Sequence, residues 1–186
     1  GCGYYDAGTV VARELDRLPE RHRQLWLERY DASAAAGSIA APFLTVPAGN
    51  DSFFYPPAVD ATYRAIPAAD KRICYGPGSD HRIDWAGGSL EEDGPAYLAL
   101  EPLYFQYALN GLAARLPAVE AVTGDTAFRY RAHAGKLQEP WAYGTRDVDL
   151  PWPQRRWERM EVAREGDLSE GHLRLVPDGA AADWDW

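Results

Sequence analysis

The stretch that decides the fold is "LTVPAGNDSFFYPP", residues 44 to 57. A short apolar run breaks off at Pro47, passes through Gly49-Asn50-Asp51, and meets three aromatics and two prolines. With the residues before it, "PFLTVPAG" has the length and β-branched content of a buried strand, and Pro42 stands first, where a missing N–H does no harm. "PPAVDATYRAIP" then opens with prolines suited to a helix start and spaces Val59, Tyr63 and Ile66 by four and three, the pattern of a helix burying one stripe. "KRICYGPGSDH", residues 71 to 81, reads as a second strand closed by a Gly-Pro-Gly turn. Strand, helix, strand predicts a βαβ unit with two parallel strands, an α/β fold.

Asp51 and His81 each follow one of those strands, so both are expected at the carboxyl edge of the sheet, where ligand sites form in open α/β folds. A carboxylate that accepts an imidazole N–H fixes the tautomer of the ring. It also stabilises the imidazolium formed when the other ring nitrogen takes a proton from a nucleophile.

Outside this unit the reading is coarser. "GCGYYD", residues 1 to 6, is expected to end a strand or form a glycine turn, and Val10 to Tyr30 reads as one polar, arginine-rich helical stretch with solvated charges. Ala-rich "ASAAAGSIAA" reads as a connector. Pro102 to Leu116 puts Phe105, Leu109, Leu112 and Leu116 on one helical face and is stopped by Pro117. From Val119 the period changes to two in "AFRYRAH", "RRWERMEV" and "HLRLVP", which predicts a small antiparallel β module to about residue 179. "AADWDW" at the end has no periodicity, as a disordered tail would. Two domains are expected, residues 1–117 and 118–186.

The sequence has 186 residues with 19 basic and 28 acidic side chains, a net charge of −9. No basic run could track a phosphate backbone, so nucleic acid is not an expected partner. No apolar stretch approaches the roughly 18 to 20 residues of a membrane span, and no membrane partner is expected. Cys2 and Cys74 are too few for a disulfide framework or a CxxC metal site. In adjacent positions across an intervening strand they would lie about 9 to 10 Å apart, beyond disulfide reach. Two free thiols, no metal and no cofactor are expected, and the compartment stays open. The sequence begins with Gly1 and its sole methionine is Met160, so the natural start is expected to lie upstream.

Residues 41 to 81, "APFLTVPAGNDSFFYPPAVDATYRAIPAADKRICYGPGSDH", resemble the last strand-helix-strand unit of α/β-hydrolases, in particular acetylxylan esterase-type and prolyl-oligopeptidase-like enzymes. "GCGYY", "LWLERYDAS" and "RRWERMEV" resemble other stretches of those enzymes more loosely. The resemblance implies Asp51 as triad acid, His81 as triad base, and hydrolysis of a carboxylic ester, with an acetyl ester of a carbohydrate favoured. A prolyl-oligopeptidase-type peptidase is the alternative, and a non-catalytic binding module the reading from another class. In that fold the nucleophile precedes the acid on a Gly-x-Ser-x-Gly elbow. None of Ser33, Ser38, Ser52, Ser79, Ser89 and Ser169 has both glycines. The resemblance therefore implies a carboxy-terminal half, inactive alone, whose partner is the missing amino-terminal half of the same protein and whose first strand leaves an open edge.

Tyr4, Tyr5, Phe53, Phe54, Tyr55 and Trp85 cluster in sequence near the expected catalytic edge and are candidates to line an acyl or sugar pocket. Core packing is as good a reading for each. His22, His133 and His172 read as surface residues. Trp141, Trp152 and Trp157 are expected to fill the core of the β module.

Overall fold

The computed structural model describes residues 9–81, 94–112, 118–121, 127–131, 142–166 and 170–176. The readings made for Cys2, Tyr4, Tyr5, Trp85, His133, Trp141 and the tail lie outside the described residues. The chain forms two compact units: one runs to Glu101 and includes Pro151–Gln154, the other comprises Pro102–Leu150 and the residues from Arg155. The division between these units falls inside a helix, between Glu101 and Pro102, and the four residues Pro151–Gln154 belong to the first unit. Proline at that point removes one backbone donor from the helical ladder.

In the first unit, helices α1 (Val10–Leu15) and α2 (Glu20–Arg29) replace the single stretch expected from Val10 to Tyr30. Pro19 separates them. A proline has no N–H to give the helical ladder, but its carbonyl can start a helix, and it accepts from His22 and Arg23 at the head of α2. No residue of α2 is buried, as its charges require. The Ala-rich connector is also not featureless. It holds α3 (Ser33–Ala36), where the Asp31 carboxylate accepts the Ser33 N–H at 2.8 Å and Ala36 is completely buried against Ile66 and Ala68. Alanine forms helix well and lets backbones approach closely, so a stretch low in pattern still seals a core.

Strand β1 (Phe43–Thr45) pairs in parallel with β2 (Lys71–Ile73), Phe43 opposite Lys71 and Thr45 opposite Ile73. Between them runs α4 (Pro56–Ala65) with its prolines in the first turn. The βαβ expectation holds. Both strands are half-buried rather than buried, because among the described residues each has one neighbouring strand. Val59 and Ala58 pack with Tyr55 and Ile73, while Ile66 is buried in the other cluster.

Lys71 ties the end of α4 to the start of β2. Its ammonium donates to the carbonyls of Tyr63, Arg64 and Ile66 at 2.9, 3.2 and 2.7 Å and lies 4.7 Å from the Tyr63 ring centroid. A cation there satisfies carbonyls that the helix leaves open and opposes its dipole. Burial is the main cause that pushes the Tyr63 hydroxyl above its ordinary pKa, and that hydroxyl donates back to the Lys71 carbonyl. Lys71→Met is expected to lose about 2 kcal/mol of stability, the scale of hydrogen bonds to a charged group, read from urea unfolding; an unchanged midpoint would contradict this role.

Helix α5 spans Gly94–Leu109, earlier than the expected 102–116. It ends at Gly111, whose φ of +68° is a left-handed helix stop, with Leu112 N–H donating to the Tyr107 carbonyl at 2.7 Å. On the face expected to carry Phe105 and Leu109, Phe105 is 60% and Leu109 85% exposed, while Tyr104 is buried. Hydrophobic spacing selects a face but does not say that anything covers it.

The second unit contains the expected antiparallel sheet, with β3 (Ala118–Ala121), β4 (Ala127–Arg131), β5 (Ala142–Gly144), β6 (Glu158–Gly166) and β7 (Glu170–Val176) in the order β3-β4-β7-β6-β5. Leu173 and Leu175 are buried while Arg174 between them is exposed, the alternation of a strand with one covered face. Met160 and Leu175 form the core with Ala142 and Val162 against them. Arg156 holds Asp147 by its backbone N–H, Nε and Nη2 at 2.9, 3.0 and 3.0 Å. These contacts lower the Asp147 pKa from 3.8 to about 2. A depressed carboxylate stabilises fully above its ordinary value and loses that contribution as pH falls through the folded one. Thermal midpoints should therefore drop between pH 3.8 and about 2, and Asp147→Asn should flatten that part of the profile; parallel profiles would contradict it.

Candidate active site

Beyond β1 and β2 the two backbone segments stay paired, and this brings Asp51 and His81 together. Cys74 N–H donates to the Thr45 carbonyl, Gly76 N–H to Pro47 at 2.9 Å, Gly49 N–H to Gly76 at 2.8 Å, and Asn50 N–H to Ser79 at 2.9 Å. Ala48 and Gly76 form a parallel bridge within this run. Gly49 leaves little room for a side chain. A Cβ there would lie 3.1 Å from the Gly76 carbonyl oxygen and 3.1 Å from the Pro77 Cα, both backbone atoms. The loop to His81 is closed by Gly78 at φ +72° and by the buried Ser79 hydroxyl, which donates to the Gly76 carbonyl. Only glycine adopts that φ at little cost.

Asp51 is 2% exposed. Its Oδ1 accepts the backbone N–H groups of Phe53 and Phe54 at 2.7 and 2.8 Å, so the carboxylate is fixed by the first residues that follow it. His81 Nδ1 lies 3.1 Å from both Asp51 oxygens, and its side chain is 39% exposed. The ring packs at centroid distances of 4.8 and 4.9 Å from Phe53 and Phe54. Asp80 accepts the His81 backbone N–H at 2.7 Å and orients the main chain at this point. With Nδ1 donating to a buried carboxylate, Nε2 is the ring nitrogen left to exchange a proton with a substrate or nucleophile.

Of the candidate lining residues, Phe53 and Phe54 stand half-exposed beside the imidazole. Tyr55 instead packs in the small core with Ala58 and Val59. Cys74 is half-buried and follows β2 directly, on the run that leads to His81. His22 is exposed, and His172 lies in β7 opposite Arg129 and Glu165. Among the described residues no group of three His, Cys, Asp or Glu side chains gathers as a metal site, and no helix is long and apolar enough to cross a membrane.

Two features escape sequence reasoning. Asn50 beside a turn aspartate reads as a residue bonding its own backbone, yet its side chain accepts the Gly78 N–H at 2.9 Å and donates to the Trp152 carbonyl at 3.0 Å. Trp152, expected in the core of the β module, lies in a short 3-10 helix, Trp152–Gln154, that belongs to the first unit. A contact spanning 102 residues leaves no local pattern to find. Comparison with family models, with curated proteins and with solved structures returns no match.

Proposed function

We propose that Asp51 and His81 are the acid and base of a Ser-His-Asp triad that hydrolyses carboxylic esters, the serine being supplied from outside these 186 residues. The single observation that supports this most is the dyad itself: a buried carboxylate, held by two backbone N–H groups, sits 3.1 Å from Nδ1 of a half-exposed imidazole. An aspartate serving only its own turn needs the two N–H groups and no histidine.

His81 Nε2 takes the serine proton as the serine oxygen bonds to the acyl carbon. The tetrahedral oxyanion collapses, the bond to the leaving oxygen breaks, and that oxygen receives the proton from His81. Water then attacks the acyl-enzyme with His81 again as base, and the acid leaves with the serine restored. Asp51 keeps the ring in the Nδ1–H tautomer and stabilises the imidazolium throughout. A small acyl ester of a carbohydrate is the substrate class favoured by the resemblance of residues 41–81. The half-exposed rings of Phe53 and Phe54 beside His81 suit the apolar part of such a substrate or a sugar face.

The test is fluorophosphonate labelling and p-nitrophenyl acetate hydrolysis by the full-length gene product. The expected result is labelling at one serine, lost with His81→Ala. An inert full-length protein would overturn the proposal and leave a binding role.

A further inference from the structure

The geometry points to Asn50 as a positioning residue that locks the base loop to the acid loop and to the returning segment Pro151–Gln154. Its catalytic consequence rests on the triad reading above; its structural part does not. Three hydrogen bonds meet at this one buried residue, which is 7% exposed. Its backbone N–H donates to the Ser79 carbonyl, its Oδ1 accepts the Gly78 N–H, and its Nδ2 donates to the Trp152 carbonyl. The first two clamp the two residues that lie just before Asp80 and His81, and Asn50 itself precedes Asp51. Acid and base thus stand on backbones joined directly through Asn50, not through the dyad contact alone.

The third bond reaches Pro151–Gln154, a segment of the first unit that follows 100 residues of intervening chain. A buried amide with both ends engaged cannot be shortened without leaving the Gly78 donor and the Trp152 acceptor unmatched. The predicted failure is specific. The Gly76-to-His81 loop loses its side-chain anchor, the imidazole drifts from Asp51, and the ring no longer holds its proton on Nδ1.

The experiment records the 15N spectrum of the neutral His81 ring in the chain as it stands, for the wild type, Asn50→Ala, Asn50→Asp and Asp51→Asn. The expected result is Nδ1–H in the wild type and a shift toward Nε2–H in Asn50→Ala. Asn50→Asp keeps the acceptor for Gly78 and should keep the wild-type tautomer. In the full-length enzyme Asn50→Ala should lower kcat about tenfold to a hundredfold at unchanged KM, the cost of a misplaced catalytic group. A stabilising role alone would lower the melting temperature and leave tautomer and kcat unchanged. A folded Asn50→Ala protein with the wild-type tautomer overturns the proposal, while Asp51→Asn still changing it leaves the dyad intact. Should Asn50→Ala not fold, a loss of the Nδ1–H form in Asn50→Asp overturns it equally. If Asp51→Asn leaves the ring as in the wild type, the acid-base reading itself fails.

Discussion

On the triad proposed above, Asp51→Asn in the full-length gene product is expected to lower kcat for ester hydrolysis by about 10⁴ while the protein keeps its fold and its KM. The amide preserves the shape of the carboxylate, and its oxygen can still accept from Phe53 and Phe54, so the turn survives. What it cannot do is hold the imidazole proton on Nδ1 or stabilise the imidazolium, because the charge is gone and its NH2 group favours a ring that accepts at Nδ1. His81→Ala should cost more, since the proton acceptor itself is lost. Steady-state kinetics and a melting curve on the same preparation decide the matter. A drop in both stability and activity by Asp51→Asn would mean that the carboxylate serves the turn, and full activity would remove it from the mechanism.

The second large effect belongs to a residue with no side chain. Gly49→Val should separate the acid and base loops, because its Cβ would press on the Gly76 carbonyl and the Pro77 Cα at 3.1 Å and its branches would need still more room. The Gly49 N–H to Gly76 bond at 2.8 Å and the ladder beyond it lie at that contact. Overpacking of this kind costs about 1 to 3 kcal/mol, and a displacement of about 1 Å at the dyad costs about a hundredfold in rate. Gly49→Ala is the milder probe, since the two backbones need give only a few tenths of an ångström. Activity near wild type in a folded Gly49→Val protein would show that the loops are not held through this contact.

The middle of the chain was legible because its signals are local and redundant. Prolines at a helix start, Val59, Tyr63 and Ile66 at helical spacing, and two β-branched runs on either side suffice for β1-α4-β2, and parallel pairing then puts Asp51 and His81 on one edge. Where signals conflicted, the reading failed. Charge pattern suggested one helix from Val10 to Tyr30, and Pro19 overrides it because the missing N–H acts more strongly than propensity. Phe105 and Leu109 were read as sharing one helical face, and they stand exposed, since periodicity reports a face and not its cover. Asn50 was invisible for another reason: its role depends on Gly78 and Trp152, which only the folded chain brings near it.

The antiparallel sheet from β3 to β7 was equally readable from alternation, but its link to the first unit was not. Nothing in "DVDLPWPQRRW" says that Pro151–Gln154 turns back to the acid loop, because a backbone carbonyl carries no sequence signature.

Whether Asp51 and His81 act as an acid-base pair can be read from the position of the proton on the neutral His81 ring in the wild-type chain. Nitrogen-15 NMR distinguishes the tautomers without substrate or nucleophile. The dyad requires a proton on Nδ1, shared with the Asp51 carboxylate and slow to exchange. A ring protonated at Nε2 with a bare Nδ1, unchanged by Asp51→Asn, would contradict it.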